Sequence, residues 1–187
     1  MTKRSTYIAG DIMTRGSQLQ RAEERTKLEA AGISVYNPQD NKSINDKQNA
    51  IQEGLAERIV REDMERLFSA TDIVIEPQPY AQGTLVELGI IYGMKALAAE
   101  IVKIARSGQR EQGAFYDMYE LAERLLAQKV YPHNSDRRRT NIPEVGDRRS
   151  FSVNQFVLGV IIALTDGKGF YDFDEAVELI KKDGGGA

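Results

Sequence analysis

The residues best placed to do chemistry in this chain lie in one segment, Gln82-Gly83-Thr84-Leu85-Val86-Glu87-Leu88-Gly89. Gly83 permits a tight turn, Thr84 is a good helix N-cap, and Glu87 stands three residues later, where a capping box places its acid. The spacing supports two uses of Glu87. It can tie off the helix end, or it can stay ionised in the first helical turn, where the helix dipole favours negative charge. A carboxylate of the second kind, shielded from water by Leu85, Val86, Leu88, Ile90 and Ile91, is able to attack an anomeric carbon. Asp63 is a second acid in an unusual place. Ile59, Asp63 and Leu67 are four residues apart and share a helical face that is otherwise apolar. A carboxylate there is costly to bury unless it is paired or used, and the alternative is a partly exposed residue at the stripe's edge. Tyr7 fits either a core tyrosine or a phenol that hydrogen-bonds a nearby carboxylate. Asn154 opens the apolar run Phe156-Val157-Leu158, and it fits a solvent-facing helix start as well as a ligand contact.

These residues need a scaffold, and the hydrophobic pattern supplies one. Tyr7-Ile8-Ala9-Gly10 reads as a first strand, Ile33 to Tyr36 as a second, Asp72 to Ile75 as a third and Ala99 to Ala105 as a fourth. Between them, helices are expected from Ser17, with capping-box spacing to Gln20, to Ala31 before Gly32, from Gln52 to Ser69 and from Thr84 to Lys95. Further helices are expected over 114–128, 153–164 and 174–182, with a polar loop over 131–149 holding Arg137, Arg138, Arg139, Arg148 and Arg149. That loop fits a solvated surface, a phosphate contact or a subunit contact. Alternating strands and helices predict an α/β fold, a single-domain flavodoxin/Rossmann-like parallel sheet flanked by helices on both faces. One domain over 1–183 and a flexible tail over 184–187 are expected. In such sheets ligands bind outside the carboxyl ends of the strands. That rule directs attention to 10–17, 37–49 and 76–83, and to Gly10, Asp11, Asn37, Gln39, Gly83 and Thr84 as substrate contacts.

Composition narrows the chemistry. With 187 residues and 41% hydrophobic content, the chain can build one real core. Its 25 basic and 28 acidic residues give a net charge of −3, so nothing in the charge balance points to nucleic acid or an anionic membrane as partner. The chain has no cysteine and a single histidine, His133. That excludes disulfides, a thiolate zinc site, a cysteine nucleophile and a histidine-rich metal centre. Gly10 and Gly16 lack the spacing of a dinucleotide fingerprint. No signal peptide and no apolar run of roughly 18 residues is visible, so a cytoplasmic protein is expected.

Taken in order, four elements resemble the nucleoside 2-deoxyribosyltransferase family. Tyr7-Ile8-Ala9-Gly10 is similar to its opening strand, and Asp63, nine residues before Asp72, to its helix aspartate. Gly83-Thr84-Leu85-Val86-Glu87-Leu88-Gly89 is similar to its nucleophile motif, and Asn154-Gln155-Phe156-Val157-Leu158-Gly159 to its late asparagine segment. The resemblance covers roughly 6–102 and a weaker piece near Asn154. It implies Glu87 as nucleophile, Tyr7 as its orienting group, Asp63 as the base and proton contact, and Asn154 as a sugar contact from a neighbouring subunit. It also implies deoxynucleosides and free nucleobases as ligands, no cofactor or metal, and a homo-oligomer, dimer or hexamer, with sites at subunit interfaces. The expected chemistry is transfer of 2-deoxyribose through a covalent deoxyribosyl–Glu87 ester with retention at C1′. Six residues before the nucleophile, where the family often carries an aspartate, this chain has Ala81. Either Asp63 handles the leaving base alone or the base contact differs. Two further readings share the scaffold. A nucleoside 5′-monophosphate N-glycosidase would need a phosphate site, for which Arg15, Ser17 and Arg21 are available. A catalytically silent module that binds a nucleotide-derived ligand would account for Ala81.

Overall fold

The computed structural model describes residues 4–46, 51–106, 114–136 and 153–184. Four strands, β1 (Thr6–Ala9), β2 (Val35–Tyr36), β3 (Asp72–Ile75) and β4 (Lys129–Pro132), form one sheet in the order β2-β1-β3-β4. Every pairing is parallel, and the register sets Tyr7 opposite both Tyr36 and Ile73. The inner strands β1 and β3 are buried along their whole length, as expected for parallel strands covered on both faces.

Side-chain alternation divides the core in two. Tyr7, Ala9, Ile73, Ile75 and Val130 face Leu67 of α3 (Leu55–Ser69), Leu88 and Ile91 of α4 (Gln82–Arg106), and Val160 and Ile161 of α6 (Gln155–Leu164). Ile8, Val74 and Tyr131 face Leu28 of α1 (Arg15–Ala30) and Ala176, Val177 and Ile180 of α7 (Phe173–Gly184). The sheet is therefore flanked by helices on both faces, the single α/β layer arrangement that the pattern predicts. A short α2 (Lys42–Asn45) follows β2, and α5 (Ala114–Ala127) packs on α4 through Ala98, Val102 and Ala122. No described helix is long and apolar enough to cross a membrane.

The structure corrects several expectations. Residues 99–105 are not a strand: α4 runs unbroken from Gln82 to Arg106. The β-branched cluster Ile101-Val102-Ile104 mimics a strand, but the buried positions Leu88, Ile91, Ala98, Val102 and Ala105 keep helical spacing, and no glycine or proline interrupts them after Gly93. Lys95 reinforces this stretch by donating to the carbonyls of Leu125, Leu126 and Gln128 at the end of α5. The fourth strand is β4, at the start of what the pattern gives as a polar loop. Pro132 is tolerated there because β4 is an edge strand. The five loop arginines lie outside the described residues. At α1 the N-cap is Thr14, whose Oγ1 accepts from the Ser17 amide at 3.1 Å, so the Ser17–Gln20 capping box does not form. Gly184 belongs to α7.

Candidate active site

A cavity of about 600 Å³ opens at the carboxyl edge of the sheet. It draws on all three segments that follow β1, β2 and β3, contributing Gly10 to Met13, Pro38 and Asn45, and Tyr80 to Gly83 respectively. Its walls are Ile59, Val60, Asp63 and Met64 of α3 and Val86, Glu87 and Ile90 of α4. The lining is thus largely apolar with a few polar groups, the composition expected of a small-molecule site.

Three of those polar groups, Asp11, Asp63 and Glu87, are carboxylates. The Tyr7 hydroxyl donates to Glu87 Oε1 at 2.6 Å. Burial pushes the Glu87 carboxyl up to about 7; the Tyr7 hydrogen bond opposes the rise and the nearby Asp63 charge adds to it. Burial likewise lifts Asp63 to about 6, against the hydrogen bond that it accepts from Tyr36 at 3.3 Å. The Tyr7 phenol is held neutral, by burial first and by both acids. Both carboxyls are thus raised toward neutrality, and the charge of Asp63 is felt at Glu87. Such a pair, set in an apolar cavity, can offer one ionised oxygen and one proton at the same time.

The capping-box use of Glu87 is not what the structure has. The Leu85 amide donates to the carbonyl of Ala81, and α4 begins at Gln82, so Thr84 lies inside the helix. The Glu87 carboxylate is turned to Tyr7. Gly83 makes no tight turn either. A Cβ there would meet nothing within 4 Å, so its smallness leaves space at the cavity instead.

Behind the loop that follows β1 lies a fully buried ionic cluster. Arg21 of α1 bonds Glu24 at 2.6 Å and also Glu76 at the end of β3. His133, just beyond β4, places Nε2 3.3 Å from Glu24. Burial outweighs Arg21 and lifts Glu24 to about 7. At Glu76 burial also raises the carboxyl, but His133, Arg21 and the Ser135 amide prevail and hold it near 2. Glu24, Glu76 and His133 bring possible metal ligands within 4.8 Å of one another. The Arg21 guanidinium bonds both carboxylates and takes the place that a cation would occupy. Gly10 is required here by close approach: a Cβ on it would lie 1.5 Å from Arg21 Nη1.

No family model and no curated protein matches this sequence. Solved structures do share the fold. A conserved protein from Enterococcus faecalis V583 superposes with a TM-score of 0.62 at 16% identity, covering 97% of this chain and 99% of that one. A 2-deoxyribosyltransferase from Bacillus psychrosaccharolyticus superposes with a TM-score of 0.52 at 13% identity, covering 92% and 90%. At these identities the likeness is one of fold.

Of the residues singled out from sequence, Glu87, Asp63, Gly10, Asp11, Gly83 and Thr84 line the cavity, and Tyr7 stands behind Glu87. Asp11 turns its carboxylate to the Met13 amide and the Ser17 hydroxyl. Asn37 and Gln39 are not in the lining. Asn37 is buried against the Arg21 carbonyl and accepts from the Gln39 amide, and Gln39 reaches the Gln18 carbonyl. Asn154 is exposed and caps α6 by accepting from the Phe156 amide at 2.8 Å. Arg21 is buried, its Nη2 bonding both carboxylates of the cluster, and is not presented to a phosphate. Tyr36 and Asn41 were not singled out, yet both belong to the acid network: Asn41 Nδ2 donates to the Tyr36 hydroxyl at 3.1 Å. A tyrosine on each of two successive strands, Tyr7 and Tyr36, is the signal that points to the second of them.

Proposed function

We propose that this protein transfers 2-deoxyribose between nucleobases, with Glu87 as nucleophile and Asp63 as the acid that protonates the departing base. The observation that carries this reading is the presence of Glu87 and Asp63 in one mostly apolar cavity, Glu87 anchored by the Tyr7 hydroxyl at 2.6 Å. The shared fold with a 2-deoxyribosyltransferase, described as a biocatalyst for the synthesis of nucleosides, supports the substrate class.

A Glu87 carboxylate oxygen attacks C1′ of the donor as the C1′–N bond breaks. The bonding pair leaves with the base, and the Asp63 proton neutralises it. The product is a deoxyribosyl–Glu87 ester. A nitrogen of the acceptor base then attacks C1′ from the face that the first base left, Glu87 departs as carboxylate, and Asp63 recovers a proton. Configuration at C1′ is retained over the two inversions. Glu87 must be ionised and Asp63 protonated for the first step. Protonating Asp63 removes a charge that helps raise Glu87, but with Glu87 at about 7 and Asp63 at about 6 the proton rests first on Glu87, so the productive pairing is the less populated form of the free site.

In this reading Asn154, which lies off the cavity lining, serves the site of a neighbouring subunit, and a homo-oligomer is expected by light scattering. Of the phosphate candidates of the monophosphate alternative, Arg21 is buried and Ser17 donates its hydroxyl to Asp11, while Arg15 stays exposed. The test is incubation with deoxyinosine or thymidine, with and without adenine, followed by chromatography and intact mass. A deoxyadenosine peak that needs adenine and is lost in Glu87→Ala supports transfer. Free base without a new nucleoside would reassign the protein as a hydrolase. Undiminished transfer in Glu87→Ala would refute the nucleophile.

A further inference from the structure

The nucleophile has its tyrosine, and the acid has one too. Tyr7 and Tyr36 are register partners on β1 and β2, and parallel pairing puts both side chains on the same face of the sheet. Their rings stack with centroids 5.6 Å apart and planes 25° from parallel. Each phenol then serves a different carboxylate, Tyr7 bonding Glu87 and Tyr36 bonding Asp63. The direction of the second bond is fixed from behind. Asn41 Oδ1 accepts from the Ser43 amide at the start of α2, so its Nδ2 faces the other way and donates to the Tyr36 oxygen at 3.1 Å. With a lone pair so engaged, the Tyr36 proton is left for Asp63. The Arg66 guanidinium also lies over the Tyr36 ring, 5.4 Å from its centroid, and confines it.

We infer that Tyr36, held by Asn41, is the positioning residue of Asp63, as Tyr7 is of Glu87. The inference rests on the reading above, in which Asp63 delivers the proton to the leaving base. Tyr36 touches the acid and not the reacting atoms. It selects the carboxyl rotamer that points into the cavity and stabilises the ionised form left after each proton transfer. The charged and titratable groups around Asp63 are Tyr36 from β2, Glu62 on its own helix, Glu87 from α4, Tyr7 from β1 and Arg66 over the Tyr36 ring. Asp11, in the loop after β1, also lines the cavity. Glu62 is itself held by Asn41 Nδ2 at 2.8 Å and by the Ser43 hydroxyl. Asn41 therefore governs both the partner of Asp63 and a neighbouring like charge.

The experiment compares wild type, Tyr36→Phe and Asn41→Ser, the last retaining a side chain able to cap α2 but too short to reach Tyr36. The Asp63 carboxyl carbon is titrated by NMR, with Asp63→Asn to assign the signal. Loss of a hydrogen bond to the ionised form moves the midpoint up by about half a unit to one unit in Tyr36→Phe, and by less but in the same direction in Asn41→Ser. An unchanged midpoint in both variants overturns the inference. In turnover, Tyr36→Phe should lower kcat about tenfold on deoxynucleosides, with little change in KM and an alkaline limb displaced upwards. On a 4-nitrophenyl 2-deoxyriboside, whose leaving group departs unprotonated, it should keep the wild-type rate. Equal loss on both donors would mean a structural role and would also overturn the inference. If wild type moves no deoxyribose, the proposed function fails, and the carboxyl titration alone still decides whether Tyr36 controls Asp63. If Tyr36→Phe does not fold, Asn41→Ser carries both measurements.

Discussion

Replacing Tyr7 by Phe removes one oxygen from the site and almost nothing from the core, since the ring stays packed among Tyr36, Ile73 and their neighbours. That oxygen donates to the Glu87 carboxylate at 2.6 Å and counters the effect of burial on its pKa. A hydrogen bond to a charged group contributes about 1.5–3 kcal/mol. At 1.36 kcal/mol per unit this corresponds to roughly 1–2 pKa units, in the direction of a less acidic Glu87. Glu87, about 7 in the intact site, should then titrate at about 8–9. At pH 7 the ionised share of the nucleophile drops from about half to roughly 1–10%. The assay uses 4-nitrophenyl 2-deoxyriboside, because its departure makes no demand on Asp63 and leaves only the acid limb of kcat/KM to read. Between pH 5 and pH 9.5 that limb should move up by roughly 1–2 units, with a plateau near the wild-type value at high pH. A uniform loss with an unmoved limb would refute the idea that Tyr7 acts by setting the charge of Glu87.

Other perturbations read the same geometry through stability. Glu87 has a folded pKa of about 7 against an ordinary 4.5, so its penalty is absent below pH 4.5, grows as pH rises and is complete above pH 7. Glu87→Gln should therefore stabilise the fold by ~1–3 kcal/mol at pH 8, with the gain vanishing toward pH 4.5 in chemical denaturation. Gly10→Ala forces a methyl to within 1.5 Å of a buried guanidinium pinned on two sides, and should cost about 2–4 kcal/mol by the same method. Arg21→Met leaves Glu24 and Glu76 buried without their shared countercharge. It should cost about 3–5 kcal/mol, and the loss should deepen as pH rises through about 7, where Glu24 ionises.

The sheet and most helices are legible in the sequence because their apolar periods are clean. The first three strands and the carboxyl-edge rule together locate the cavity. Legibility fails where a local signal has two physical meanings. Ile101-Val102-Ile104 reads as a strand because β-branched residues favour one, and only packing against α5 makes the run helical. Lys129–Pro132 is too short, and too close to a proline, to register as a strand until β3 is there to pair with it. Thr84 and Glu87 spell a capping box, yet α4 starts two residues earlier and frees Glu87 for Tyr7. Arg21 looks like a surface base near a first loop, whereas Glu24 one turn along its own helix and Glu76, distant in sequence, bind it in the core, with His133 set against Glu24. Tyr36 and Asn41 carry no motif at all. Their role comes from the register of two strands, which no spacing along the chain encodes.

The pairing of Tyr7 with Tyr36 also determines which part of the molecule fails first under stress. Tyr7 sits on a central strand, but Tyr36 sits on β2, an edge strand of two residues with only two register pairs. Short edge segments open at free energies well below that of global unfolding. A brief detachment of β2 carries off the partner of the acid while the nucleophile and its tyrosine stay in place on β1 and α4. On warming, catalysis should therefore decline before the bulk of the fold melts. The Val35 and Tyr36 amides should exchange with deuterium ahead of those in β1 and β3, and their exchange rates should follow the onset of inactivation.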